Sequence, residues 1–590
     1  MRLLAWSDRD GATLAKGSKD APPGASAVRL LDSGAVQMFA DGGGVERVHT
    51  VARVFDKKGI AKFGEAQVPS DAQVLHLRTL KADGRVLEPE SIPEKEGISL
   101  PGLEPGDAVE IDYLRGISPR GPDMPGYSLG AFYFRDDETP MGDSTYEVRA
   151  PAPPEIDAHN LRLPQDAVQR DGDSFRFRHS ARDVKPLQSE PNQVAESEVM
   201  PWVQLGTGAG QKDLMRSLAD WALMRARPGS TTLELASRSL GTSVEDTARK
   251  IHAAVAEAVR GRSNGGDFQT SAAHVLAHGR GNRLVAMKAA LASAQIPSHV
   301  VFARTFTADP APHRFPRGDL YGYAVLRIDL PGEPAWVDVS YRLAPFNQLP
   351  AFLRGQDAWV VPEPGEEPEY IRLPQTFPGQ RDGRVLKMEL SLNPEGVASG
   401  TGRDEHHGFE AASLKDSLER LDGEQRKQAV ESTLGRGLRG VALESLATEH
   451  ENDVGGPATL VYGFRVQLAR RDGAQLFVPS SLVPSRLARR WLQTAERQVP
   501  LLVDSPEIFT ERVSIVLPRG RFLRSAPKPV SIATPFGAYT FRAREESGKL
   551  LIEESLSMPQ QRVPPDRYAA FAAFARDVDE AQSQELLVGP

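Results

Sequence analysis

The chain has 590 residues, of which 40% are hydrophobic and 25% charged, with a formal net charge of −8 and no cysteine. That length allows three or four domains with their own cores, and the composition excludes wholesale disorder. Modest negative charge without a basic block argues against nucleic acid as a partner, and the absent thiols exclude disulfides, thiolate metal sites and a cysteine nucleophile.

No run of about 18 apolar residues occurs, so no transmembrane helix is expected. The start, M-R-L-L-A-W-S-D-R-D-G, lacks the apolar stretch of a signal peptide, and residues 1–25 read as a lead-in whose upstream part has been removed. On that reading the protein is periplasmic or envelope-associated; with Met1 as the native start it is cytoplasmic. Residues 26–195 read as β-rich. Ala27 to Asp32 and Val36 to Phe39 are candidate strands, and Asp41-Gly42-Gly43-Gly44 is a turn. Val45 to Phe55 alternates apolar and polar residues, as a half-buried strand does.

Two motifs follow in order, L-R-T-L-K-A-D-G-R-V-L-E-P-E-S-I from Leu77 and I-S-L-P-G-L-E-P-G-D-A-V-E-I-D-Y-L from Ile98. They resemble the β-sandwich domain of unknown function that commonly precedes bacterial transglutaminase-like domains. That resemblance implies no activity, and Asp83, Gly84, Glu104 and Asp107 read as turn chemistry. Residues 196–210 read as a linker, because Gly206-Thr207-Gly208-Ala209-Gly210 lacks the lysine and hydroxyl of a phosphate loop. Helices fill 211–262. Thr242 is the expected N-cap with Glu245 closing a capping box, and Val244, Ala248, Ile251, Val255 and Val259 form one buried face. His252 reads as a surface or flanking histidine.

Leu284 to Ala294 predicts a helix ended by Gln295-Ile296-Pro297, with Val300 to Ala303 as the strand behind it. The arrangement resembles a bacterial transglutaminase-like core, in which Gly-Asp-Cys or Gly-Asn-Cys opens a helix. The resemblance covers 211–362 and implies a Cys–His–Asp triad at fixed places. Counting back from Ile296 puts Arg280 at the cysteine, whereas alignment on Gly281-Asn282 puts Arg283 there. Either way, a guanidinium stays protonated and cannot attack a carbonyl. The strand Leu320 to Arg327 puts Tyr323 at the histidine, and a phenol with an ordinary pKa near 10 is a poor base at neutral pH. Asp338 matches the third member and is expected either to cap or pair locally or to take a charge-assisted contact from the replacing arginine.

Other candidates are weaker. Thr270 or Ser271 beside His274 and His278 could pair a hydroxyl with an imidazole, and the two histidines or Asp404-Glu405-His406-His407 could hold a metal. None has a recognised pattern or a third ligand. Pro362 to Arg384 reads as a boundary, with 363–384 a linker. A second β-rich domain then spans 385–590, with one amphipathic helix through Leu414, Leu418, Leu421 and Ala429 and a closing helix carrying Tyr568, Phe571, Phe574 and Val578. The fold class expected is α+β multidomain, a papain/transglutaminase-like core between two β domains.

The expected function is that of a pseudoenzyme, a non-catalytic binding or scaffold protein for a protein or envelope polymer, without cofactor or metal. Two alternatives stand beside it: a hydrolase or acyltransferase with a non-cysteine nucleophile or metal, and a glycan- or peptidoglycan-binding envelope module.

Overall fold

The computed structural model describes residues 2–17, 21–89, 97–121, 124–261 and 268–590. Met1 and the last three residues of the motif from Leu77 lie outside them. The chain forms a multidomain α+β protein with two compact units. One comprises Met1–Glu190, Ala195–Ser217 and Asp309–Arg317, the other Pro191–Val194, Leu218–Ala308 and Gly318–Pro590. No helix among the described residues is long and apolar enough to cross a membrane.

In the first unit the strand Ala27–Met38 runs unbroken through both stretches expected there. It pairs antiparallel with Gly44–Val54 and parallel with Met141–Ala150, at the centre of an eight-stranded sheet. Gly42 makes the turn at φ +83°, where only glycine is unstrained. A smaller sheet of Glu155–His159, Trp202–Gly208 and Gly126–Ser128 shares a core with it through Val36, Tyr146, Phe177, Val203 and Leu205. The segment 196–210 is therefore not a linker. Trp202, Val203 and Leu205 are fully buried, and each such side chain stabilises a fold by about 1.5–3 kcal/mol. Nor are the first residues a loose lead-in. Helices Arg2–Ser7 and Gly11–Leu14 lie on the sheet, where Arg47 donates to Asp8 at 3.1 Å. Gly11 sits so close to Glu110 that a Cβ there would fall 2.1 Å from the carboxylate. The expected turn chemistry holds: Asp107 accepts from the Ala82 and Glu104 amides, and Gly84 has φ +94°.

The second unit holds a five-stranded antiparallel sheet in the order Ala335–Val337, Tyr323–Ile328, Ser298–Ala303, Asp357–Val360, Glu369–Arg372. Its last strand falls in the stretch read as a 363–384 linker, because Tyr370 and Ile371 pair with Trp359 and Ala358. All six residues of Ser298–Ala303 are buried, which is why that strand reads as a continuous apolar run. Helix Arg283–Ser293 packs behind it and is buried from Arg283 to Leu291. Small residues on it (Ala286, Ala289, Ala290) permit that close approach. Gln295, at φ +57°, closes the helix before Pro297. Helix Val244–Ala258 begins one residue later than expected. Ser243 is the N-cap and accepts from the Asp246 amide, while Asp246 reaches back to the Thr242 amide. His252 is 2% exposed, against the surface reading, because it lies on the same face as Ile251 and Val255 and meets Phe346. Burial pulls its pKa down to about 4.

Beyond the five-stranded sheet, eight strands form the C-terminal sheet, with Gly383–Leu392 parallel to Glu507–Val516 at its middle. The stretch expected as one amphipathic helix is two. Gly408–Leu418 ends before Asp422, which caps Gly423–Gly435 through a reciprocal box with Gln425. The closing helix Pro565–Gln582 buries Tyr568, Phe571, Phe574 and Val578 in the shared core, as their spacing predicts.

Candidate functional site

Helix Arg283–Ser293 opens from a turn in which Gly279 and Gly281 have φ +62° and +117°. Asn282 caps it by accepting from the Leu284 amide at 2.9 Å. Arg283 is thus the first helical residue, where the resemblance expects the nucleophile, and Arg280 is left exposed on the turn. A helix N-terminus carries partial positive charge, which would favour a thiolate and disfavours a cation. The fold answers with carbonyls. The Arg283 guanidinium is 3% exposed and donates to Val259 O at 2.7 Å, Gly261 O at 2.6 Å, and Val339 O and Ser340 O at 3.3 Å. Burial, with the Arg342 charge nearby, pulls its pKa down to about 10, so it remains a cation at neutral pH.

The neighbouring strands bring Tyr323 and Asp338 together. Leu326 pairs with Val337, so the chain leaving the short strand at Asp338 runs alongside the first residues of its partner. The Tyr323 hydroxyl donates to Asp338 Oδ2 at 2.7 Å and lies 3.0 Å from Ser340 Oγ. The Ser340 amide donates to Asp338 Oδ1 at 2.7 Å. Both oxygens of Asp338 are taken by neutral donors, and burial raises its pKa. The expected arginine contact is not its hydrogen-bonding arrangement, because the Arg283 fork turns to the Val259 and Gly261 carbonyls on one loop and the Val339 and Ser340 carbonyls on another. Burial and the adjacent carboxylate also raise the pKa of Tyr323, which removes it further from service as a base. Ser340 is the member sequence reasoning missed; its only signal was its place two residues after Asp338.

The remaining candidates do not assemble a site. The Ser271 hydroxyl accepts from the His274 amide as a helix cap rather than facing an imidazole. His274 and His278 stack at 4.0 Å, exposed, with His278 Nδ1 on the His274 carbonyl. On strand Val397–His407, alternation sends Asp404 and His406 to one face and Glu405 and His407 to the other. Arg384 grips Asp404 at 2.8 and 2.7 Å, and His406 meets Glu410 at 2.8 Å.

Residues 475–588 match the model of a domain of unknown function with solved structure, DUF3858, within the C-terminal sheet region. No curated protein matches. Among solved structures the chain is similar to one from Parabacteroides distasonis ATCC 8503 described as a "putative protease", with a TM-score of 0.61 and 12% identity. The likeness covers 96% of this chain and 99% of that one, and at such identity it is a likeness of fold.

Proposed function

We propose that the chain is a non-catalytic binding or scaffold protein built on a degenerate transglutaminase-like core, acting on a protein or envelope polymer. The observation that carries the reading is the Arg283 guanidinium, buried at the helix start and bound to four carbonyls. A guanidinium offers no lone pair for attack. The Tyr323 phenol is a poor base, since burial and the adjacent carboxylate raise its pKa, and both Asp338 oxygens are already taken by the Tyr323 hydroxyl and the Ser340 amide. Fold likeness to a structure named for an enzyme is compatible with this, because one fold hosts many functions. A glycan-binding role would want a row of aromatics on one face. The exposed aromatics among the described residues, Phe39, Tyr370 and Phe522, belong to three different sheets.

The test is a turnover panel on the purified full chain: primary-amine incorporation into casein, peptide hydrolysis and ester hydrolysis. All three are expected at the buffer rate. Turnover well above buffer that Ser340→Ala or Tyr323→Phe abolishes, with unchanged circular dichroism, overturns the reading.

A further inference from the structure

The strand Glu155–His159 puts Asp157 and His159 on one face, two residues apart. In the same unit the segment Asp309–Arg317 brings His313 to that face. It is held by the Arg314 amide, which donates to Asp157 Oδ2 at 3.0 Å, and by Phe315, which lies over Gly206 where a Cβ would clash at 2.7 Å. His159 Nε2 lies 3.2 Å from Asp157 Oδ1, and His313 Nδ1 lies 3.6 Å from Asp157 Oδ2. One ligand atom from each of the three residues falls within 4.8 Å of the others.

The His313 side chain is only 4% exposed, yet neither ring nitrogen has a hydrogen-bond partner. A buried imidazole normally fills both positions. The nearest carboxylate oxygens stand 3.6 Å from each nitrogen, outside hydrogen-bond range. That spacing suits an ion between the groups. A tetrahedral zinc with bonds of about 2.0–2.1 Å holds its ligand atoms about 3.4 Å apart. His159 lies against Asp157 Oδ1 and His313 against Oδ2, and one ligand atom from each residue falls within 4.8 Å of the others, so an ion would draw both imidazoles toward a single carboxylate oxygen.

The rings are also set for it. His159, His313 and Trp202 are mutually parallel within 20°, with centroids 4.5, 5.1 and 5.6 Å apart. Three stacked layers would put the outer pair about 7 Å apart at van der Waals spacing, so the three rings occupy two layers. Each imidazole stacks with the indole and with the other, and His159 Nε2 and His313 Nδ1 both approach Asp157. Asp309, beside the far nitrogen of His313, is placed as the carboxylate that fixes the tautomer of a metal-bound histidine.

We propose that Asp157, His159 and His313 form a divalent-cation site of zinc type, with a fourth position for water or a ligand group. This stands apart from the core and does not depend on whether the core is catalytic. Its donors are two imidazoles and a carboxylate, a set that suits zinc and its first-row neighbours rather than calcium or magnesium. The site escapes a motif search because its two halves are distant in sequence.

The experiment is equilibrium dialysis of the chelator-stripped full chain against Zn²⁺, with bound metal counted by mass spectrometry and thermal unfolding followed in parallel. One equivalent should bind, and unfolding should move to higher temperature as free Zn²⁺ rises. His159→Gln, at the more exposed edge of the cluster, should weaken binding by about 100-fold and Asp309→Asn by about 10-fold. His274→Gln, in the exposed pair of the other unit, should change nothing. Less than a tenth of an equivalent on the wild-type chain overturns the proposal and leaves His313 an imidazolium between two carboxylates. One equivalent bound equally well by wild type and His159→Gln also overturns it.

Discussion

Replacing Arg283 with methionine keeps most of the buried stem and removes the fork. Two short charged bonds, to Val259 O and Gly261 O, are lost, and two carbonyls at 3.3 Å lose weaker partners. Hydrogen bonds to a charged group contribute about 1.5–3 kcal/mol each. The short pair therefore accounts for about 3–6 kcal/mol. Part of that is returned because a buried guanidinium no longer has to be kept from water, the effect that lowers its pKa to about 10. A net loss of about 3 kcal/mol is expected, or roughly 4 °C in the unfolding transition of the second unit by calorimetry. Arg283→Lys should fall between, since one ammonium cannot meet four carbonyls spread around a planar fork. The exposed Arg280→Met is the control, expected within about 0.5 kcal/mol of the parent. If Arg283→Met also stays within 0.5 kcal/mol, or Arg280→Met matches its loss, the assignment of Arg283 as the buried plug fails.

Three further predictions concern buried ionisable groups. Asp338 is raised by burial and meets no cation among its partners, so Asp338→Asn, which keeps an acceptor for the Ser340 amide, should stabilise the chain more at pH 8 than at pH 4 in urea titrations. Equal effects at both pH values would contradict it. Glu511 and Glu554 sit opposite each other on paired strands, at 0% and 3% exposure, and burial together with the mutual charge raises Glu511 well above the usual range. The folded chain then holds a proton the unfolded chain releases. Stability should fall as pH rises from about 4.5 toward the folded value, and Glu511→Gln should flatten that slope. His406 shows the opposite balance: burial lowers its pKa, but Asp404 and Glu410 outweigh burial and raise it to about 9. Its contribution is complete below about 6.5 and lost as pH passes 9, so His406→Gln should remove an alkaline loss in that window, measured by denaturant midpoint from pH 6 to pH 10.

The sequence by itself settled what depends on residue identity and short-range pattern. A chain with no cysteine has no thiol nucleophile in any fold, and strand alternation marked Gly383–Leu392 and the long strands after it. The helix from Leu284 could be read because its apolar run is local. Tyr323 and Asp338 could be read as neighbours because they sit at corresponding ends of successive strands. Register and partner were beyond it. That the helix starts at Arg283, with Arg280 on the turn before it, depended on the positive φ values of Gly279 and Gly281. Where the guanidinium donates depended on carbonyls from two separate loops. The strand in 196–210 was hidden by its glycines, and only the facing sheet explains why Trp202 and Leu205 are buried. Asp157, His159 and His313 meet through the path of the chain between them, and no local preference encodes that path. Periodicity and capping act over a few residues, whereas hydrogen-bond partners are chosen by whatever the completed fold brings within 3 Å.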